Sequence, residues 1–287
     1  MGRGARTGGG AKPSILGGGA TVPRSWGCRP ENPMTMVKTP GLPPELVVDG
    51  ALARVTLRRP ALANRLSVAD IEALRGLIAS LQDRQELRLV LLCAEGPHFC
   101  AGFQIDAVDE VDAPALFEGL TDAWEALPMP TLACIQGDVW GGAVDLALAC
   151  DFRLGGPVGR VGIPAARLGL HYYGGGMQRL VSRLGLSATK RLLLAGEVWS
   201  DRERLTLGFL DAMADDLHAL REQWVARLLA LAPLAQAGMK RHLNAIARGA
   251  LDAAALQADG QRCARSEDLA EGLAAWRERR SPRFSGR

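Results

Sequence analysis

GDVWGGAVDLALACD, Gly137 to Asp151, decides the fold when it is read with HFCAGFQI, His98 to Ile105. Each stretch has the same layout: a strand-like run, a tight glycine turn, then a helical pattern. The run before His98, LRLVLL from Leu87 to Leu92, has Arg88 as its only polar residue. TLACIQ, Thr131 to Gln136, is as apolar, and both read as strands covered on two faces. Two such units bring two backbone N–H groups side by side. Near a helix N-terminus, such a pair stabilises a developing oxyanion.

Working outward, ELVVDGALARVTLRRP (Glu45–Pro60) predicts a hairpin with Asp49-Gly50 as its turn. Ser67 is placed to cap a helix over VADIEALRGLIASL, with Leu74, Leu77 and Leu81 on one side. Phe117, Leu120, Trp124 and Leu127 recur at helical spacing up to Pro128. A further helix is expected from about Ala143 to Ala149. After Ser187 the chain reads as mostly helical. Leu217, Leu220, Trp224, Leu228 and Leu231 mark one helix, and Ser266 caps another. Strands alternating with helices argue for an α/β fold with crossover connections.

Residues 1–44 differ from the rest. They are rich in Gly, Pro, Arg and Ser, lack hydrophobic periodicity and read as a disordered basic arm. An Arg-rich, acid-poor start also fits an organellar targeting segment, or a leader ahead of Met34 and Met36. Of the net charge of +3, residues 1–30 carry +5, so the remainder carries −2. That remainder has no nucleic-acid signature. No apolar run reaches membrane-spanning length. The six cysteines are scattered without a CxxC pair or zinc spacing. Free thiols in a cytoplasmic protein are expected, and no metal.

The ordered set of pieces from about Glu45 to Phe284 resembles the crotonase (enoyl-CoA hydratase/isomerase) superfamily. RPALANRLSVADIEAL (Arg59–Leu74) resembles the start of that family's first helix, and SEDLAEGLAAWRERRSPRF (Ser266–Phe284) its closing helix. The resemblance implies a spiral of ββα units over residues 45–212 and a C-terminal helical trimerisation segment over 213–287. It implies a homotrimer or a dimer of trimers. It also implies an acyl-CoA or acyl-carrier-protein thioester as substrate, with coenzyme A entering only as part of the substrate and no other cofactor.

The resemblance assigns the oxyanion donors to the N–H groups of Phe103, after the Ala101-Gly102 turn, and of Gly142. Glycines at 141 and 142 let a substrate approach the backbone closely. Asp145 lies in the first turn of the helix that Gly142 opens. An acid there complements the helix dipole. Hydratases of the family carry a Glu at this position that handles the water proton, which implies a catalytic or substrate-orienting role for Asp145.

The family's second Glu is replaced by Ala165. Hydration needs one group to activate water and another to deliver a proton, and alanine does neither. Tyr172, beside His171 in LGLHYYGGGMQRL (Leu168–Leu180), is the candidate replacement. Val139–Ala143, the missing Glu and Tyr172 together resemble methylmalonyl-CoA decarboxylase-like members. Losing CO2 forms the enolate without a general base. His98 reads as a turn residue. Arg65, with Arg277, Arg279, Arg280 and Arg283, is a candidate contact for the thioester's phosphates; a solvated basic run is the plainer reading of the last four. The alternatives are a hydratase, dehydratase or isomerase using Asp145 alone, an RNA-binding relative, and a non-catalytic relative. No P-loop, GxGxxG or GxSxG motif occurs.

Overall fold

The computed structural model describes residues 1–2, 41–104 and 112–287. The expected disorder of the arm falls on residues outside these, apart from residues 1–2 and 41–44. Strand β1 (Leu42–Asp49) pairs antiparallel with β2 (Leu52–Arg58). Leu42, Pro43 and Pro44, expected in the arm, are therefore strand. The register shifts between Leu42 and Glu45, where two prolines cannot donate to the ladder. Asp49 pairs with Leu52, so the turn residues are Gly50 and Ala51 rather than Asp49-Gly50. Gly50 supplies the φ of +55° that the tight turn requires.

Helix α1 (Val68–Gln82) starts at Ser67, as expected. Asp70 N–H donates to Ser67 Oγ at 3.2 Å, and Ser67 N–H donates back to Asp70 Oδ2 at 3.0 Å. This reciprocal cap satisfies two donors that a helix start leaves open. Ile71, Leu74, Ile78 and Leu81 bury the inner face. Strand β3 (Leu89–Ala94) follows, then α2 (Ala113–Glu125), which Asp112 caps. Phe117, Leu120 and Trp124 are its buried stripe.

Strand β4 (Thr131–Ile135) leads through the two-residue β5 (Val139–Trp140) into α3 (Gly142–Ala149). After these come β6 (Phe152–Gly155), β7 (Arg160–Gly162), α4 (Gly174–Leu184), α5 (Leu186–Leu193), β8 (Val198–Ser200), α6 (Glu203–Thr206) and β9 (Ala212–Met213). Among the described residues the main sheet runs β1-β2-β3-β4-β6-β9, parallel from β2 onward. A smaller sheet joins β5, β7 and β8. Parallel strands need covered faces. One face of β3 and β4, with Val90, Leu92, Ala133 and Ile135, packs on α1, α2 and α3 in the principal core. The opposite face, with Leu89, Leu91 and Leu132, meets Val225 and Leu228 of α7 (Leu217–Leu229).

The chain closes with α8 (Pro233–Ala247), α9 (Ala253–Ala264) and α10 (Glu267–Glu278). Ser266 caps α10 as expected, its Oγ accepting from Leu269 N–H at 3.1 Å. Arg88 Nη2 donates to Phe284 O at 2.7 Å and ties the end of the chain to the start of β3. Cys93, Cys100, Cys134, Cys150 and Cys263 are free thiols. Among the described residues no helix is long and apolar enough to cross a membrane, and no group of side chains is arranged to hold a metal ion.

Candidate active site

β3 and β4 end side by side, and the loops that leave them stay together. Phe99 and Cys100 N–H both reach Asp138 O, and Trp140 N–H donates to Cys100 O at 3.0 Å. Leu66 binds the far side of the first loop: its N–H donates to Gly102 O at 2.8 Å and its O accepts from Gln104 N–H at 2.9 Å. In a parallel pairing of this kind, the intervening residue turns its own N–H to the other side. That residue is Phe103. Gly142 is the first residue of α3, where N–H groups have no intrahelical acceptor. Among the described residues, neither N–H has a partner.

The two loops touch at Gly102. A Cβ there would stand 3.2 Å from Gly142 N and 2.6 Å from Trp140 O, and its φ is +83°. Only glycine lets the Phe103 and Gly142 segments come this close. Gly141 precedes the helix at φ +58° and ψ −125°, another conformation that favours glycine.

The donor pair opens on a cavity of about 140 Å³. Ala101, Phe103, Gly141 and Gly142 border it on the donor side. Phe117, Ile163 and Leu170 give it apolar walls, and Ala165, His171, Tyr172 and Tyr173 also line it. The structure thus brings eight sequence-selected positions together: 101, 102, 103, 141, 142, 165, 171 and 172. Among the described residues lining the cavity there is no carboxylate. A larger cleft of about 540 Å³ lies between the end of α2 and helices α8 and α9, away from the donor pair.

Asp145 and Arg65 do not reach the cavity. Asp145 is fully buried. Arg179 Nε donates to its Oδ1 at 2.8 Å and Arg179 Nη2 to its Oδ2 at 2.9 Å. Tyr173, not Tyr172, donates its hydroxyl to Asp145 Oδ2 at 2.7 Å. Arg179 also holds Asp122 at 2.6 Å and Thr121 Oγ1 at 2.5 Å. Burial opposes its charge, but the Asp145 carboxylate, with Asp122 and Glu125, offsets this and holds the guanidinium's pKa above its ordinary value. Glu125 joins the cluster through Arg179, Arg183 and Arg248. Arg65 instead borders a small crevice beside Pro44 and Asp70. Its neighbour Leu66 turns inward, and side chains alternate along an extended segment.

Tyr172 stacks on Tyr173, ring centroids 4.7 Å apart and 15° between planes, and its hydroxyl lies 3.4 Å from Gly141 O. Burial, and then the Asp145 charge, push the Tyr172 phenol well above its usual range, so it stays protonated. Sequence reasoning missed Tyr173 and Arg179. It also missed Glu118, whose Oε1 accepts the Gly175 N–H at 2.5 Å and anchors the start of α4 to α2. Arg280 is spent on Glu271 and Glu278 on the surface.

A family model described as enoyl-CoA hydratase/isomerase matches residues 48–287. The chain is similar to an enoyl-CoA isomerase/hydratase of Mycosarcoma maydis, 31% identical over 256 residues, covering 84% of this chain and 92% of that protein. It is similar to the carnitinyl-CoA dehydratase of Proteus mirabilis, 29% identical over 257 residues, covering 84% of this chain and 98% of that one. A solved structure of an enoyl-CoA hydratase/carnithine racemase from Magnetospirillum magneticum superposes with a TM-score of 0.80 at 26% identity, covering 85% of this chain and 96% of that chain. By family, fold and the loop geometry at Phe103 and Gly142, this chain belongs to the enoyl-CoA hydratase/isomerase family.

Proposed function

We propose that the protein acts on an acyl-CoA thioester, or the equivalent acyl-carrier thioester, and releases CO2 from a malonyl-type acyl group. The observation that carries this reading is the pairing of two open N–H donors with a cavity whose described walls hold no carboxylate. The thioester oxygen accepts from Phe103 and Gly142 N–H. As the bond between the α-carbon and the carboxylate breaks, its electron pair moves into the enolate and the charge gathers on that oxygen. One such donor is worth ~10²–10³ in rate. The apolar walls favour neutral CO2 over the carboxylate it comes from. The Tyr172 hydroxyl, kept protonated, orients the leaving carboxylate. The α-carbon then takes a proton from solvent. No cofactor beyond the substrate's own coenzyme A enters.

The names of the similar proteins support a second reading: hydration, dehydration or isomerisation with Asp145 as the single carboxylate. That reading needs Asp145 to leave Arg179 and Tyr173. A panel of CoA esters analysed by mass spectrometry separates the two. Loss of CO2 from a malonyl-type ester supports the first; gain of water by crotonyl-CoA with every malonyl-type ester intact supports the second. A homotrimer in the cytoplasm is part of the proposal. Exposed Leu269, Leu273 and Trp276 on α10 are the kind of surface such an assembly buries, and a monomer in light scattering would contradict it.

A further inference from the structure

Two thiols stand together on the sheet face away from the cavity core. β3 and β4 pair in parallel with Leu92 opposite Ala133. One step further, Cys93 stands opposite Cys134. The strands stay together beyond them, since Gln136 Nε2 donates to Ala94 O at 2.9 Å. Side chains alternate along a strand, so Cys93 and Cys134 share the face of Leu91 and Leu132, under α7. Adjacent strands lie about 4.8 Å apart. That falls inside the Cα separation of about 4.4–6.8 Å that a disulfide bridges.

Their surroundings are unequal. Cys134 is buried, whereas Cys93 is partly exposed. The neighbouring Cys134 holds the Cys93 thiol below its ordinary pKa despite burial, and Arg221 of α7 and Arg54 of β2 add to the effect. The neighbouring Cys93 and burial push Cys134 up. Burial, more than any neighbour, pushes Cys100 and Cys150 up to about 12. A partly exposed thiol beside a buried second thiol on the neighbouring strand has the form of an attacking and resolving pair. Each thiol also lies on a strand that feeds one oxyanion loop: β3 leads to Phe103 and β4 to Gly142.

We propose that Cys93 and Cys134 form a dithiol modification site for a small-molecule disulfide of the glutathione type, and that closing it alters the Phe103–Gly142 donor pair. The Cys93 thiolate attacks one sulfur of the small disulfide and expels a thiolate. The resulting mixed disulfide is then attacked at Cys93 Sγ by Cys134, whose proton passes to the first leaving thiolate. A second small thiol departs. The two protein thiols are oxidised by two electrons, and one small disulfide is reduced to two thiols. The new bond ties the two strands together at the base of the donor loops.

The test incubates the full-length protein with oxidised glutathione and maps disulfides by non-reducing peptide mass spectrometry. The expected result is a Cys93–Cys134 linked peptide, removed by dithiothreitol, with no glutathione retained at either position. Cys134→Ser should trap glutathione on Cys93, and Cys93→Ser should give neither product. Absence of the linked peptide from the wild-type protein, or glutathione retained only at Cys263, would overturn the site. Turnover of the thioester should fall several-fold on oxidation and return on reduction, and Cys93→Ser should be insensitive. This arm rests on the function proposed above, while the peptide map does not. A linked peptide with unchanged turnover would therefore overturn only the coupling to the donor pair.

Discussion

Gly142 and Asp145 share the first turn of α3 and live in opposite surroundings. Gly142 faces a cavity with its N–H open, next to apolar rings and a second open N–H. Asp145 faces the interior, where Arg179 and Tyr173 satisfy its carboxylate and further acids satisfy Arg179. The first region holds polar capacity in reserve for a substrate; the second has used its capacity within the protein. The charged side chain nearest Gly142 in sequence is therefore an anchor, and in the proposed reaction the chemistry falls to backbone groups. Through Tyr173 and its stack on Tyr172, the ionic cluster also fixes one wall of the cavity.

Arg179→Met is the hardest blow to the buried side of this contrast. It leaves Asp145 without its charged partner in the interior, and such breaks cost about 3–5 kcal/mol. Chemical denaturation should register a loss of that size; a loss under about 1 kcal/mol would mean that the cluster is not holding Asp145. Gly142→Val attacks the open side. A Cβ at Gly142 meets the Phe117 ring at 2.9 Å, so the side chain both fills the cavity and displaces that ring. Turnover should drop by at least ~10²-fold, as for loss of an oxyanion donor, with an overpacking loss of about 1–3 kcal/mol in stability. Near-normal kcat would remove Gly142 from the donor pair.

How much of this contrast was legible in the sequence follows its physical basis. The donor loops were legible because glycine turns after apolar strands are local signals, and the Ser67 cap was equally local. The hairpin turn was displaced by one residue because Asp49-Gly50 and Gly50-Ala51 are both acceptable turn chemistry, and only the register decides. The ionic cluster was not read, since its members lie on α2, α3 and α4. A signal was present. Arg179 shares the inner stripe of α4 with Gly176 and Leu180, and Glu125 abuts Trp124 on α2. Charged residues at core positions require partners, but pairing them needs the fold. That Arg65 lies outside the cavity could not be read for the same reason, because a side chain's direction depends on which neighbour turns inward.

Two smaller tests sharpen the comparison. Tyr172→Phe should cost at least ~1 kcal/mol of transition-state stabilisation, read from kcat/KM, with little change in Tm. Unchanged kcat/KM would free the hydroxyl from any orienting role. Asp138 holds the second donor loop through Arg160, at 2.7 Å. Burial opposes its ionisation, yet the Arg160 hydrogen bonds keep its pKa below the usual carboxylate range. Because the folded pKa is the lower one, its stabilising contribution is present above the ordinary carboxylate range and is lost as pH falls through the depressed value. Asp138→Asn should therefore destabilise by up to ~1 kcal/mol at neutral pH and least in acid. A deficit that grows on acidification would contradict this.

The most direct test of the central claim compares CO2 release from a malonyl-type CoA ester with water addition to crotonyl-CoA, across pH, for the wild-type protein and Asp145→Asn. The account predicts CO2 release as the faster reaction, with the same pH dependence in both proteins, because Asp145 moves no proton. Rapid hydration of crotonyl-CoA that Asp145→Asn abolishes, with no CO2 from the malonyl-type ester, would contradict it.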